Sequence, residues 1–193
     1  QGQLLEAWEY AQREFGGMRD VWRSISYEGE VWSKVKVPHC FNGYDAVDPH
    51  VKYYQGEGWY RTAVEVNNPY PKGRTLVHFE GVGQKAALYL YQELVGRHTG
   101  GYDEFQFDIT DFIQQYRTQT HPRAERQYGE SIPLAICADN TRDLDNIPSD
   151  LSDFNLYGGI YRKVRLKYVP AISVDQVHVE SKVDENRSKA VLR

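Results

Sequence analysis

Residues 152–164, SDFNLYGGIYRKV, join a loop carboxylate, a glycine pair and an apolar strand pattern in one short run. The run begins with Asp153, passes through Gly158 and Gly159, and leads into the alternating segment 160–168. A glycine pair before such a segment is typical of a turn that enters a β-strand. We therefore predict a loop, a turn and a strand, Ile160–Tyr168, in immediate succession.

The middle of the chain alternates apolar and polar side chains with a period of two. In residues 60–66, Tyr60 and Val64 fall on one face while Arg61 and Glu65 fall on the other, as a half-buried strand requires. The same alternation recurs at four further places, residues 88–91, 105–109, 134–138 and 164–168. Many short strands without intervening helices predict an all-β antiparallel sandwich.

Two stretches depart from this alternation. Leu4, Trp8, Ala11 and Phe15 have the spacing of an amphipathic helix, so periodicity alone predicts a helix there. Residues 117–130 are polar, aperiodic and contain a proline, and we predict an extended surface loop.

Composition excludes several classes of partner. The 23 basic and 27 acidic residues give a net charge of -4, and no long basic cluster is present, so nucleic acid is not an expected partner. No apolar run approaches the roughly 20 residues that span a bilayer, so no membrane association is expected.

The chain begins at Gln1 without a methionine, which is consistent with export after removal of a signal peptide. Cys40 and Cys137 either pair in an oxidising compartment or are buried separately.

Three further segments sharpen the interpretation of residues 152–164. They are WSKVKVPHCFN at 32–42, GEGWYRTAVEV at 56–66 and TGGYDEFQFDITDFI at 99–113. In this order the four segments closely resemble the N-terminal sugar-binding domain of glycoside hydrolase family 2, the family of β-galactosidases, β-glucuronidases and β-mannosidases. The resemblance runs from about Trp8 to Tyr168. It implies a galactose-binding-domain-like jelly roll, with a strand rather than a helix around Trp8 and Tyr10.

The resemblance also predicts where the domains begin and end. Residues 1–170 are expected to form the jelly-roll domain. After Pro170 the alternation restarts in ISVDQVHVESKV, DENR supplies a turn, and SKAVLR opens another strand. Residues 171–193 are therefore expected to be the truncated start of the immunoglobulin-like domain that follows in this family.

No catalytic residue is predicted in this chain. Retaining glycosidases need two carboxylates about 5–5.5 Å apart, and in this family both are glutamates of a (β/α)8 barrel, expected beyond Arg193. No cofactor is expected. The six histidines show no ligand spacing, so no metal site is expected either. The implied partners are the barrel, the immunoglobulin-like domain and a terminal β-linked sugar.

Asp153 and Asn42 are the predicted substrate-binding residues. In the family, the aspartate that matches Asp153 reaches toward the barrel and lines the sugar pocket, and a carboxylate can accept hydrogen bonds from adjacent hydroxyls. Asn42 follows the Val-Pro strand end, in a loop that also approaches the active site. Both residue types also form ordinary turns, and for Asn42 the two interpretations have equal weight.

Two other functions remain open from the sequence. One is an autonomous carbohydrate-binding module, which shares the architecture but binds glycans on its own. The other is a sandwich that only supports packing of other domains or subunits. The fold does not determine which sugar the parent enzyme would recognise.

Overall fold

The computed structural model describes residues 2–23, 25–26, 29–147, 149, 151, 154–174 and 177–192. Ten of its fourteen strands belong to two antiparallel sheets. The strands are β1 Gly2–Leu4, β2 Ala7–Ala11, β3 Ile25–Ser26, β4 Gly29–Glu30, β5 Ser33–Lys36, β6 Glu57–Val64, β7 Arg74–Phe79, β8 Lys85–Leu90, β9 Glu93–Thr99, β10 Phe105–Asp108, β11 Ile132–Asp139, β12 Val164–Val169, β13 Ser181–Val183 and β14 Ala190–Leu192. One sheet has the order β5-β2-β6-β11-β8-β9 and the other β1-β12-β7-β10.

Strand β11 is the central element of the six-stranded sheet. It pairs antiparallel with β6, where Ile136 lies opposite Tyr60, and with β8, where Ile136 lies opposite Leu88. Every residue from Ile132 to Ala138 is buried, because both faces of the sheet are covered at this strand. A strand buried on both faces reads as a continuous apolar run, which the sequence IPLAICA shows.

The main core lies between the two sheets. Leu88 and Leu134 from the six-stranded sheet share one buried cluster with Val77 and Leu166 from the four-stranded sheet. The antiparallel sandwich expected from the period-two pattern is therefore confirmed. The strand around Trp8 is also confirmed. The helix that the spacing of the N-terminal apolar residues predicts is wrong, because this segment forms β2.

The predicted extended loop over residues 117–130 is wrong, as is the expectation of strands without intervening helices. Helix α2 spans Thr110–Thr118 and helix α3 spans Pro122–Tyr128. Asp108 accepts hydrogen bonds from the Thr110 amide at 2.9 Å, which satisfies a free donor at the start of α2. Pro122 occupies the first turn of α3, where no amide is needed. The polar sequence did not predict these two short helices, because their stability comes from tertiary packing.

The predicted strand start at Ile160 is also wrong, since β12 begins at Val164. The preceding residues are bonded to two other segments. The Ile160 carbonyl accepts the His39 amide at 2.7 Å, and the Gly159 carbonyl accepts the Gly83 amide at 3.1 Å. The regular ladder of β12 with β7 therefore begins at Val164, which lies opposite Phe79.

A second apolar cluster covers the outer face of the six-stranded sheet. Its buried members are Ala11, Val21, Trp22, Trp32, Trp59, Ala135 and Cys137. The short helix α1, Met18–Val21, belongs to the segment that supplies this layer. Because of this layer, the face of β6 opposite the main core is not solvent-exposed.

Arg61 shows the effect of this second layer most clearly. Its side chain is only 3% exposed, and its Nε lies 2.6 Å from Glu9 Oε2. Its Nη1 donates to the carbonyls of Val21 and Arg23 at 2.8 and 2.9 Å, and its guanidinium lies 4.1 Å from the Trp32 ring centroid. Arg61 thus fastens the segment before β3 to the sheet.

The last strands, β13 and β14, pair only with each other among the described residues. Ile172 and Val174 are 93% and 78% exposed, so this segment adds nothing to the main core. The two strands occupy the predicted positions but span three residues each.

Two further findings concern sequence features. Cys40 and Cys137 are both free thiols. Among the helices in the described ranges, none has the length and apolar character needed to cross a bilayer.

The central position of β11 gives a stability prediction. Leu134→Ala should lower the free energy of unfolding by about 2–5 kcal/mol, because it removes a fully buried side chain between the sheets. Leu144→Ala is the matched control, since Leu144 is 66% exposed and its truncation should cost less than about 0.5 kcal/mol. Urea unfolding measures both values. Equal losses in the two variants would contradict the placement of the core.

Candidate functional site

Three connections meet at one end of the sandwich, which we call the loop end. They are residues 37–56 between β5 and β6, residues 100–104 between β9 and β10, and residues 140–163 between β11 and β12. The Gly101 amide donates to the Ile147 carbonyl at 3.0 Å, and the Phe41 amide donates to the Gly158 carbonyl at 3.2 Å. These bonds hold the three connections together as one surface.

Asn42 lies beneath this surface and is fully buried. Its Nδ2 donates to the Tyr54 carbonyl at 3.2 Å and to the Leu156 carbonyl at 3.0 Å. Its Oδ1 accepts the Gly158 amide at 2.9 Å. Both amide hydrogens and the carbonyl oxygen are therefore used, and the side chain links the 37–56 connection to the 140–163 connection.

Asn140, which directly follows β11, makes hydrogen bonds similar to those of Asn42. It is also fully buried, and its Nδ2 donates to the same two carbonyls, Tyr54 at 3.1 Å and Leu156 at 2.9 Å. Its Oδ1 accepts the Gly56 amide at 2.9 Å. We call Asn42 and Asn140, with the two shared carbonyls, the asparagine clamp. Buried carboxamides with every group bonded fix one geometry of the surrounding backbone.

The glycine pair fits closely against this clamp. A Cβ on Gly158 would overlap the Phe41 ring, and one on Gly159 would lie 2.5 Å from the Tyr60 hydroxyl. Gly159 also has a φ of 105°, which side-chain-bearing residues rarely adopt. The pair is thus required by close approach as well as by the turn.

Three aromatic side chains support the clamp from the core side. His39 Nδ1 lies 2.9 Å from the Tyr60 hydroxyl, and the His39 and Tyr10 ring centroids are 4.8 Å apart. Burial lowers the pKa of His39, which favours its neutral form. Burial also raises the pKa of both tyrosines, so neither hydroxyl ionises near neutral pH.

The predicted substrate-binding residues have different outcomes. Asp153 lies outside the described residues, so its role stays a prediction. Asn42 is buried and bonded to backbone, and direct contact of Asn42 with substrate also stays a prediction. Sequence reasoning missed Asn140 as its partner, although a polar pair, Asp139 and Asn140, directly follows the central strand.

The rim of the loop end is rich in exposed apolar side chains. The 53% exposed Phe154 borders an open hollow of about 320 Å³, which Tyr53 and Arg142 also line. We call the following side chains the loop-end patch: Tyr44, Val47, Val51, Leu144, Ile147, Leu151, Phe154 and Tyr157, which are 47–83% exposed. Exposed apolar groups at such density mark a surface that contacts another molecule or domain.

The loop end offers no metal-binding geometry in the described part of the chain, where three or more histidine, cysteine or carboxylate side chains do not come together. Two of its described carboxylates bond to backbone amides of their own connection. Asp45 accepts the Tyr54 amide and Asp48 accepts the His50 amide, both at 2.9 Å. This arrangement suits positioning of loops more than chemistry on a substrate.

Comparison with known proteins gives a consistent result over almost the whole chain. The family described as "Glycosyl hydrolases family 2, sugar binding domain" matches residues 7–170. The structure is similar to apo Bacteroides uniformis β-glucuronidase 3, with 47% identity and a TM-score of 0.86 over 96% of this chain and 24% of the other. It is similar to Parabacteroides merdae β-glucuronidase, with 43% identity and a TM-score of 0.90 over 100% of this chain and 25% of the other.

A curated relative with a different activity also matches. A Thermoanaerobacter pseudethanolicus β-galactosidase is 33% identical over 150 residues, which are 75% of this chain and 18% of that protein. This chain thus spans about a quarter of the length of the two solved relatives and about a fifth of the β-galactosidase.

The asparagine clamp gives a second stability prediction. Asn42→Ala should lower the free energy of unfolding by about 1–3 kcal/mol, because the buried Gly158 amide loses its acceptor. Asn67→Ala, at an exposed position after β6, is the control and should change stability by less than about 0.5 kcal/mol. Thermal and urea unfolding of the two variants test this. A loss no larger than that of the control would show that the clamp contributes little.

Proposed function

Because this chain belongs to the sugar-binding domains of glycosyl hydrolase family 2, we propose that it forms one wall of the substrate pocket in a larger retaining glycosidase. The observation that carries the proposal is the match over residues 7–170 in a chain that spans only about a fifth to a quarter of its relatives. The bond-cleaving carboxylates would lie in the rest of that protein. The substrate would be a terminal β-linked sugar, as the β-glucuronidase and β-galactosidase names of the relatives suggest.

The loop-end patch supports docking onto another domain of that protein. A free carbohydrate-binding module has no reason to expose Val47, Ile147 and Leu151 at 78–82%. Burying apolar surface stabilises an interface by about 25 cal/mol per Å² of area removed from water, so such residues favour a permanent contact. In our proposal the catalytic barrel covers this patch, and the hollow beside Phe154 opens toward the substrate.

Asp153 would supply the direct contact with the sugar. Leu156 and Gly158 follow Asp153 by three and five residues in the 140–163 connection, and their carbonyl and amide are bonded to the asparagine clamp. In this proposal Asn42 is a positioning residue, which holds the backbone that carries Asp153. The carboxylate of Asp153 would accept hydrogen bonds from two sugar hydroxyls.

Residues 171–193 would begin the next domain of the same protein, an immunoglobulin-like sandwich. Their exposed valines and isoleucine, together with the self-paired β13–β14 hairpin, favour this assignment. Further strands of that domain would then cover the apolar side chains.

The proposal predicts a division of activity between the chain and the full-length protein. The protein encoded by the complete reading frame should hydrolyse a nitrophenyl β-glycoside, while the 193-residue chain alone should not. The reason is that the carboxylate pair needed for retention would come from the barrel. Turnover by the chain alone that disappears when one of its own carboxylates is replaced would overturn the proposal.

Replacement of Asp153 tests the binding role in the full-length protein. Asp153→Asn should lower kcat/KM roughly 10- to 150-fold, which corresponds to about 1.5–3 kcal/mol for hydrogen bonds to a charged group. The melting temperature should barely change, since the loop keeps a polar side chain of similar size. Kinetics and thermal melting on the same preparations measure both effects.

Asp145→Asn is the matched control, because Asp145 is an exposed carboxylate of the same connection. It should retain wild-type kinetics. Unchanged kinetics with a lowered melting temperature in Asp153→Asn would instead assign Asp153 to the turn, and equal kinetic losses in both variants would assign the effect to loop charge.

A further inference from the structure

A large open cleft lies on the outer side of the second apolar cluster, away from the loop end. Its volume is about 1170 Å³, against about 320 Å³ for the hollow beside Phe154, and the two share no lining residue. Pockets for small molecules usually measure about 300–1,000 Å³, so this cleft can accept an extended ligand. Four arginines line it, and we call it the arginine cleft: Arg13, Arg23, Arg123 and Arg126.

Helix α3 presents two of these arginines as a pair. Arg123 and Arg126 are three residues apart, so they lie on one side of the helix. Both are exposed, and neither forms an ion pair or a side-chain hydrogen bond with the described residues. The helix itself is held in place, because Ala124 is 1% exposed and Tyr128 packs edge-on against Trp22 with ring centroids 5.8 Å apart. The two guanidinium groups therefore extend from a fixed backbone.

The floor of the cleft is rigid. The guanidinium of Arg61 lies 4.1 Å from the Trp32 ring centroid, and the Phe15 ring stacks on Trp32 with centroids 5.4 Å apart. Trp22 donates from its indole to the Tyr91 carbonyl at 2.6 Å. These contacts hold the aromatic rings that form the floor of the cleft. The groups that can bind a ligand are therefore the polar side chains of the rim.

The rim combines donors with acceptors. Glu14 and Asp20 lie among the arginines, and Asp20 pairs with Arg23 at 3.2 Å.

We propose that the arginine cleft binds an acidic oligosaccharide, whose carboxylates form ion pairs with Arg123 and Arg126. A guanidinium offers a planar fork of N–H donors that matches a carboxylate. Sugar hydroxyls both donate and accept, so they can use Glu14 and Asp20 as well as the arginines. An acidic peptide offers the same carboxylates but lacks the hydroxyl groups that could donate to Glu14 and Asp20. The choice of a carbohydrate rests on the proposed function of the chain.

The test uses the full-length protein and an α-linked hexagalacturonate, which a β-glycosidase does not cleave. Calorimetric titration should show saturable binding that weakens with added salt, as expected for exposed charges. The uncharged maltohexaose should not bind. Arg123→Ala/Arg126→Ala should weaken hexagalacturonate binding at least roughly tenfold, the effect of losing one charge-assisted hydrogen bond.

Arg97→Ala/Arg187→Ala is the matched control, since it removes two exposed arginines that lie outside the cleft. It should bind hexagalacturonate like the wild type. Absence of saturable binding, equal losses in the two double variants, or equally tight and competitive binding of a hexaglutamate peptide would each overturn the proposal. Hydrolysis of a nitrophenyl β-glycoside is measured on the same samples, so a failure of the proposed function appears separately as absent turnover.

Discussion

Two buried asparagines that share two backbone carbonyls hold the loop end together. Asn42 and Asn140 each donate to Tyr54 and Leu156, and each accepts a glycine amide. Without these bonds, buried carbonyl and amide groups would lack partners, and each such group would destabilise the folded state by about 1–3 kcal/mol. A surface built from three irregular connections therefore has one backbone geometry. In the proposed function this fixed geometry would hold the backbone that carries Asp153.

The six-stranded sheet positions this surface and also separates it from the arginine cleft. One face of the sheet forms the main core, and the other carries the second cluster, which Arg61 fastens through Glu9 and two backbone carbonyls. A buried arginine is favourable only when its donors are satisfied, and here three partners do so. In the proposed function the loop end faces the rest of the enzyme, whereas the arginine cleft shares no lining residue with the hollow of the loop end.

The sequence was most informative where side chains alternate between environments. The strands around Tyr60 and Leu88 follow directly from a period of two, because that period matches the pleat. The strand around Ile136 is instead recognised from a short continuous apolar run. Helix α3 was missed because only Ala124 and Tyr128 of its seven residues pack inward, too few to show a helical period, and Ala124 is 1% exposed while Tyr128 packs against Trp22. The sequence also identified Asn42 as a candidate, but the two carbonyls that it shares with Asn140 are brought together by tertiary contacts that no local pattern contains.

A double-mutant cycle on the asparagine clamp tests the account most directly. Free energies of unfolding are measured for the wild type, Asn42→Ala, Asn140→Ala and the double variant. If the two carboxamides act as one unit on their shared carbonyls, the effects will be non-additive, with a coupling energy of about 0.5–3 kcal/mol. Additive losses, within about 0.5 kcal/mol, would contradict this account, since each asparagine would then hold its own connection independently.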